Sequence, residues 1–334
     1  MPKHLYLFLL FAAGLASTQP ASAQRTPIFQ PIGAGTEGDL TVSLTEPLHV
    51  VLPEAQSEAA FKDDPRVPAN RDEYLAQVAA QRTALETAAK IWHLSPIKFI
   101  TQAELDQLEQ DKQAKHLVLN FGFNVFKTTR APVVLPALQL CLVGKVGSYS
   151  GLFVKKDYAW ELLAYQLFNT NTKILLTGRW PAWQTMFHTS DAVSTVQQLQ
   201  AYLEQRLKGQ KPTDIDRAAE ARLGQNAALL PAKTLLMLRE QLGAKLPESK
   251  LRRAFPYPVQ FADQAAIDAA AASADARYLY LRYITTNGGN GFQLLDAASG
   301  QLVGYTTNNS MRSGHPNTLE APDLEEIVET ATKK

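Results

Sequence analysis

Two stretches of this chain have similar sequences, and they constrain its fold more than any other feature. Residues 96–120 align without a gap with residues 258–282, and eight of the 25 aligned pairs are identical. A repeat of this kind indicates two copies of one supersecondary unit. The sequence therefore predicts an α/β fold made of two tandem duplicated units, each a mixed β-sheet with helices packed on it.

The repeated stretch predicts the same three elements in each copy. Residues 96–100 alternate apolar and polar side chains, as a strand does, and residues 117–119 form a second apolar strand. Between them Thr101 precedes a helical segment, and Asp263 holds the same place in the second copy. Both residue types favour the N-cap of a helix. Each copy therefore predicts a strand, a capped helix and a strand.

The similarity between the copies resumes later with a different separation. Residues 165–169 resemble residues 292–296, and each segment is followed by a turn and a return strand, at 174–176 and 301–303. Both segments predict β-hairpins. Because the separation has fallen from 162 to 127 positions, the first unit is predicted to contain an insertion of about 35 residues, within 121–160.

These patterns divide the chain into five predicted parts. They are a signal peptide at 1–23, an extended leader at 24–46, a first α/β unit at 47–209 with its insertion at 121–160, a linker helix at 210–232 and a second α/β unit at 233–334.

The start of the chain has the form of a secretory signal peptide. Lys3 precedes an apolar run at 5–15, and small residues at 21–23 predict cleavage after Ala23. The run is far shorter than the roughly 20 residues that span a membrane. No cysteine directly follows the apolar run, so a lipoprotein anchor is not predicted. We expect an exported, soluble protein without a transmembrane segment, periplasmic or secreted.

Charge and cysteine content exclude some classes of protein. The chain has a formal net charge of +1, which argues against a broad electrostatic surface for nucleic acid. Cys141 is the only cysteine, so no intramolecular disulfide can form. Its apolar neighbours predict a small buried residue in a strand rather than a reactive thiol.

Motifs for catalysis or metal binding lack their required context. Ser95 and Lys98 match the spacing of serine acyl-transferases, but they enter a strand, where residues three apart point to opposite faces. Residues 147–151 resemble a nucleophile elbow but centre on Tyr149 instead of serine. The six histidines show no metal-ligand spacing. The sequence therefore predicts no cofactor, no metal and no catalytic motif.

Aromatic residues mark two candidate contact regions. Trp180 and Trp183 flank a proline, next to Arg179 and Phe187, in an arrangement suited to stacking on a sugar, a peptide or a protein surface. The alternative is that they cover the end of the first sheet. The predicted insertion is the second region.

The insertion contains Tyr149 and Trp160. Its apolar strands are predicted either to extend the sheet of the first unit or to offer an edge to a partner. The second copy lacks it, which favours a role specific to the first unit.

Short motifs in both copies resemble a family of periplasmic domains. They are Phe-Ile-Thr-Gln at 99–102 and Phe-Ala-Asp-Gln at 261–264, an Ala-x-x-Leu-x-Leu pattern at 114–119 and 276–281, and an Asp-Ala-Ala-Ser-Gly turn at 296–300. Together they resemble the small α/β domain of the TolB N-terminus and of the curli-secretion lipoprotein CsgG. This resemblance implies a role in envelope assemblies rather than catalysis. The chain differs by its two copies, its insertion and its lack of a lipobox and a β-propeller.

Three functions follow as hypotheses. The first is an exported, non-enzymatic binding or assembly protein of the bacterial envelope, with an envelope protein or a glycan as its partner. The second is a hydrolase with dispersed acids and histidines in the cleft between the units, for which His93, His188 and Asp191 are the candidates. The third is a purely structural module of a larger complex.

Overall fold

The structure is a computed structural model, and it contains two β-sheets and ten α-helices within the residues that it describes. Those residues are 32–33, 40–63, 70–127, 132–150, 155–167, 188–243, 246–286, 289–308 and 318–332. The predicted signal peptide lies outside them. Within these ranges no helix combines the length and apolar character needed to cross a membrane.

Eleven strands form the two sheets in the described residues. The first sheet contains β1 (Ile32–Gly33), β2 (Leu48–Val51), β3 (Ile97–Ile100), β4 (Lys115–Lys127), β5 (Pro132–Ser150) and β6 (Lys155–Leu167). The second sheet contains β7 (Thr234–Met237), β8 (Val259–Phe261), β9 (Tyr278–Thr286), β10 (Gly289–Asp296) and β11 (Leu302–Asn308).

The helices alternate with these strands. They are α1 (Val42–Thr45), α2 (Glu58–Asp63), α3 (Arg71–Ala89), α4 (Gln102–Gln110), α5 (Thr189–Leu207), α6 (Pro212–Leu223), α7 (Leu229–Ala232), α8 (Glu248–Ala254), α9 (Gln264–Ala272) and α10 (Ala321–Thr332). Short 3-10 helices span Gly224–Ala228 and Arg239–Gln241.

The two sheets share one strand order. The first sheet runs β1-β6-β5-β4-β2-β3 and the second runs β11-β10-β9-β7-β8. Apart from β1, the two sheets follow the same scheme. The central strand, β2 or β7, lies between two parallel neighbours, β3 and β4 or β8 and β9. Two antiparallel strands then continue the sheet beyond β4 or β9. The predicted α/β class with two mixed sheets is confirmed. Common ancestry of the two units stays an interpretation.

The repeated stretch has the same local structure in both copies. Helices α4 and α9 each contain nine residues and begin at equivalent positions of the repeat. Thr101 Oγ1 accepts a hydrogen bond from the N–H of Glu104 at 3.2 Å, and Asp263 Oδ1 accepts one from the N–H of Ala266 at 2.8 Å. Each side chain therefore satisfies a donor that the helix leaves unpaired.

The segment 121–160, predicted as an insertion, is built from the strands of the first sheet. Strands β4, β5 and β6 contain 13, 19 and 13 residues, whereas β9, β10 and β11 contain 9, 8 and 7. At one end β4 and β5 pair beyond the reach of β6, as a first ribbon at 123–136. At the opposite end β5 and β6 pair beyond β4, as a second ribbon at 145–158. In the described residues of this segment, the extra length therefore lengthens existing strands and adds no separate element.

The strand predicted at 165–169 forms the end of β6, and the hairpin predicted from it stays a prediction. Tyr165 belongs to β6, where it pairs with Gln139 of β5 on one side and with Ile32 of β1 on the other. Both edges of β6 are therefore occupied at Tyr165. Residues 174–176, the predicted return strand, lie outside the described residues.

Proline does not interrupt β5, although the sequence suggests a break. Pro132 and Pro136 pair with Lys127 and Phe123 of β4, in the part of β5 that β6 does not reach. Because this part of β5 is an edge, the missing N–H of proline costs no hydrogen bond to a second neighbour.

One apolar core lies between the two sheets, and we call it the shared core. It includes Leu48, Leu117 and Leu138 from the first sheet, Leu236, Tyr280 and Leu295 from the second sheet, Leu85 from α3, Val193, Val196 and Leu199 from α5, and Ile267 from α9. The outer face of each sheet has its own cluster, around Val118 and Cys141 in the first and around Leu279 and Leu294 in the second. Helix α5 thus belongs by sequence to the first unit but packs between both.

Candidate functional site

The predicted contact residues fall into two groups. Arg179, Trp180, Trp183 and Phe187 lie outside the described residues, so their role stays a prediction. Tyr149 and Trp160 lie on the backbone of β5 and β6. Tyr149 pairs with Lys156 in the second ribbon, and Trp160 pairs with Val143 at its base. The fold therefore places Tyr149 on the second ribbon and Trp160 at its base, where β4, β5 and β6 all pair.

His188 and Asp191 begin helix α5 at the junction between the units. His188 is the N-cap residue, and its N–H donates to Asp191 Oδ2 at 3.0 Å. Asp191 Oδ1 also lies 3.1 Å from Arg282 Nε on β9. The side chain of Arg282 is only 1% exposed and that of Asp191 is 19% exposed. Burial lowers the pKa of Arg282, and the Asp191 carboxylate opposes that shift. This buried ion pair joins the two units.

Further hydrogen bonds surround that ion pair. The N–H of Ser190 donates to Asp268 Oδ1 at 2.9 Å, and Gln264 Nε2 donates to Ser190 Oγ at 3.2 Å. The Tyr280 hydroxyl donates to the carbonyl oxygen of Ser190 at 3.1 Å. Burial raises the pKa of Tyr280, so the phenol stays protonated and keeps this donor. We call this set of polar residues at the start of α5 the polar joint.

The middle of α5 holds a turn of the second unit. Gln197 Nε2 donates to the carbonyl oxygen of Ala298 at 3.4 Å, and Gln198 Nε2 donates to that of Gly300 at 2.8 Å. Both acceptors lie in the Asp-Ala-Ala-Ser-Gly turn between β10 and β11. Gly300 has φ of +64°, a conformation that glycine adopts without strain. The Asp-Ala-Ala-Ser-Gly turn is therefore an inter-unit contact.

His93 lies apart from His188 and Asp191. Its Nδ1 is 2.9 Å from Gln200 Nε2, and its Nε2 is 3.2 Å from Glu204 Oε1. Gln200 follows Asp191 by nine residues on α5, which is about 14 Å along a helix axis. The structure does not bring together the three residues of the hydrolase hypothesis, and it fills the junction between the units with α5.

A pair of histidines that sequence reasoning did not connect meets on the outer face of the first sheet. The rings of His49 on β2 and His116 on β4 are perpendicular, with centroids 5.7 Å apart. His49 Nδ1 lies 3.3 Å from the carbonyl oxygen of Leu117, and His116 Nε2 lies 2.9 Å from Asp111 Oδ2. Burial lowers the pKa of His49, and the Leu117 carbonyl opposes that shift. The signal for this pair is strand order, because β2 and β4 are neighbours only in the folded sheet.

Two further observations concern metal-binding and thiol chemistry. Among all the described residues, the histidine pair included, no group of three or more His, Cys, Asp or Glu residues is arranged to hold a metal ion. Cys141 is buried, and burial raises the pKa of its thiol. A protonated, inaccessible thiol is a poor nucleophile and a poor metal ligand.

Comparison with known proteins does not extend this picture. No family model matches the chain, no curated protein matches it and no solved structure matches it.

Proposed function

We propose that this protein is an exported, soluble, non-enzymatic binding or assembly protein of the bacterial cell envelope. The observation that supports this proposal best is the polar joint. Its ionisable residues Asp191, Arg282, Asp268 and Tyr280 are bound to one another or to backbone groups between the two units. Side chains held by such hydrogen bonds and ion pairs fix the two units against each other and are unavailable for proton transfer.

The proposed contact surface lies on the first unit. The long strands β4, β5 and β6 extend as two ribbons, and the second ribbon carries Tyr149, with Trp160 at its base. Such ribbons offer backbone and aromatic groups to a partner, as in strand-addition complexes. Arg179, Trp180, Trp183 and Phe187 complete the proposed surface, since Trp and Arg are frequent anchors of protein interfaces. An envelope protein or a glycan is the proposed partner.

Capture from a cell-envelope extract tests the contact surface. The full chain is immobilised beside a Trp180→Ala/Trp183→Ala variant and a Phe99→Ala control. Phe99 is a suitable control because it is an exposed aromatic residue, 42% accessible, on the opposite edge strand of the first sheet. We expect the double variant to lose at least tenfold in retained partner, since anchor residues cost about 2 kcal/mol or more, while Phe99→Ala retains it. Equal capture by all three proteins would place the contact elsewhere.

Mass analysis of the protein recovered from cells tests export. We expect the chain to begin at Gln24 in a fraction outside the cytoplasm, because cleavage is predicted after Ala23. A product that keeps its first 23 residues in the cytoplasm would contradict the localisation.

A further inference from the structure

We infer that His49 and His116 form a binding site for a divalent transition-metal cation such as Zn²⁺ or Cu²⁺. The two residues are 67 positions apart in the chain, and neighbouring parallel strands bring their rings to 5.7 Å. Imidazole nitrogen is a preferred ligand of both cations. This inference is independent of the proposed envelope role.

The hydrogen bonds of the two rings decide which nitrogens are free. The Leu117 carbonyl oxygen can only accept, so His49 Nδ1 carries the proton in that hydrogen bond. The ionised Asp111 carboxylate likewise only accepts, so His116 Nε2 carries the proton there. In the neutral rings, His49 Nε2 and His116 Nδ1 therefore present lone pairs.

The partners of the two rings are those of metal-binding histidines. A histidine that holds a metal usually donates its other N–H to a carboxylate or a backbone carbonyl, which fixes the ring and its tautomer. Asp111 and the Leu117 carbonyl supply one of each. His116 Nδ1 is buried and has no hydrogen-bond partner in the described structure. An unsatisfied buried nitrogen of this kind needs an explanation, and a bound cation provides it.

The spacing of the rings fits a shared cation. With metal–nitrogen bonds of about 2.1 Å, two imidazoles on one cation have ring centres roughly 5–6 Å apart. The side chain of His116 is 13% exposed, but its Nδ1 lies in the buried part, so neighbouring side chains must move aside for a cation to enter. Two protein nitrogens leave the other coordination positions to water or to a partner's side chain.

Some charges around the two histidines favour cation binding and others oppose it. Asp111 contacts His116, and Glu46 lies close enough to influence His49 electrostatically, so both acids favour a cation. Lys98 opposes it, because Lys98 on β3 is in direct register with His49. Adjacent strands are about 4.8 Å apart, well within the screening length at physiological salt. Lys98 therefore provides a test that does not remove a ligand.

Zinc titration of the full chain without an affinity tag tests the site. We expect one saturable Zn²⁺ site by calorimetry and no binding of Mg²⁺, which prefers oxygen ligands. His49→Ala and His116→Ala should each lose at least about 100-fold in affinity, and Asp111→Asn about 10-fold to 100-fold. Lys98→Gln should bind Zn²⁺ more tightly. His93→Ala, which changes an exposed histidine on another face, is the matched control and should bind normally.

Circular dichroism of each variant shows whether it folds. If a histidine variant does not fold, Lys98→Gln still tests the site, because it changes a nearby charge and removes no ligand. A Co²⁺ absorption spectrum should show ligand-field bands that disappear in His116→Ala. The inference is overturned if no saturable Zn²⁺ binding occurs, if folded His49→Ala and His116→Ala variants bind as the parent does, or if Lys98→Gln fails to tighten binding.

Discussion

The ion pair between Asp191 and Arg282 gives the sharpest test of how the two units are joined. The substitution Asp191→Asn preserves the shape of the side chain and an oxygen for the His188 N–H, but it removes the negative charge. Arg282, with a side chain only 1% exposed, then keeps a buried positive charge without its counterion. Removing one partner of a buried pair costs about 3–5 kcal/mol.

The reverse substitution should cost less. Arg282→Met removes the cation, but the Asp191 side chain is 19% exposed and lies in the first turn of α5, where the helix dipole favours a negative charge. We expect about 1–3 kcal/mol for Arg282→Met. The double variant should be more stable than the sum of the single losses predicts, with a coupling energy of about 2 kcal/mol.

Urea unfolding at pH 7 measures these differences in the full chain. Asp214→Asn is the matched control, because Asp214 also begins a helix and pairs with Arg217, at 3.7 Å, but its side chain is 54% exposed. A surface pair of this kind contributes about 0–1 kcal/mol. The reasoning fails if Asp191→Asn costs no more than Asp214→Asn, or if the double variant equals the sum of the two single changes.

Two further predictions concern the outer face of the first sheet. Gly144→Ala should destabilise the protein by about 1–3 kcal/mol in urea unfolding. Gly144 has φ of +98°, and a Cβ there would lie 2.6 Å from the carbonyl oxygen of Ala114. An unchanged unfolding midpoint would contradict this close approach. Cys141 should react with a thiol reagent at pH 8 only after unfolding, since its side chain is buried and burial raises the pKa of its thiol. Rapid labelling of the folded protein, followed by absorbance, would show that the strand opens.

Local signals in the sequence predicted local structure well. Asn70, Thr101 and Asp263 each accept backbone hydrogen bonds at the start of a helix, as their residue types indicate. Each of these bonds joins residues two or three positions apart, so a short window contains all the information. The apolar spacing of α3 continues to Trp92 and predicts a helix to about residue 93, but the helix ends at Ala89.

Pairing between distant strands was harder to predict. The alignment of residues 165–169 with 292–296 suggested equivalent hairpins, but β6 occupies the place of β11 in its sheet. A β-strand carries only an alternation of apolar residues, which fits many partners equally well. The contact between His49 and His116 could not be predicted for the same reason, since it depends on the neighbouring positions of β2 and β4 in the sheet. The role of Trp180 and Trp183 stays a prediction.

The position of α5 between both sheets has a consequence for biosynthesis. When residues 189–207 leave the ribosome, α5 can pack on the first sheet, but Tyr280, Arg282 and the turn at 296–300 do not yet exist. The face of α5 that will meet the second unit is then open to water and to other chains. The first unit therefore remains an unfinished folding intermediate until nearly the whole chain is made. A truncated chain ending after α5 should bind chaperones or aggregate, instead of behaving as an independent domain.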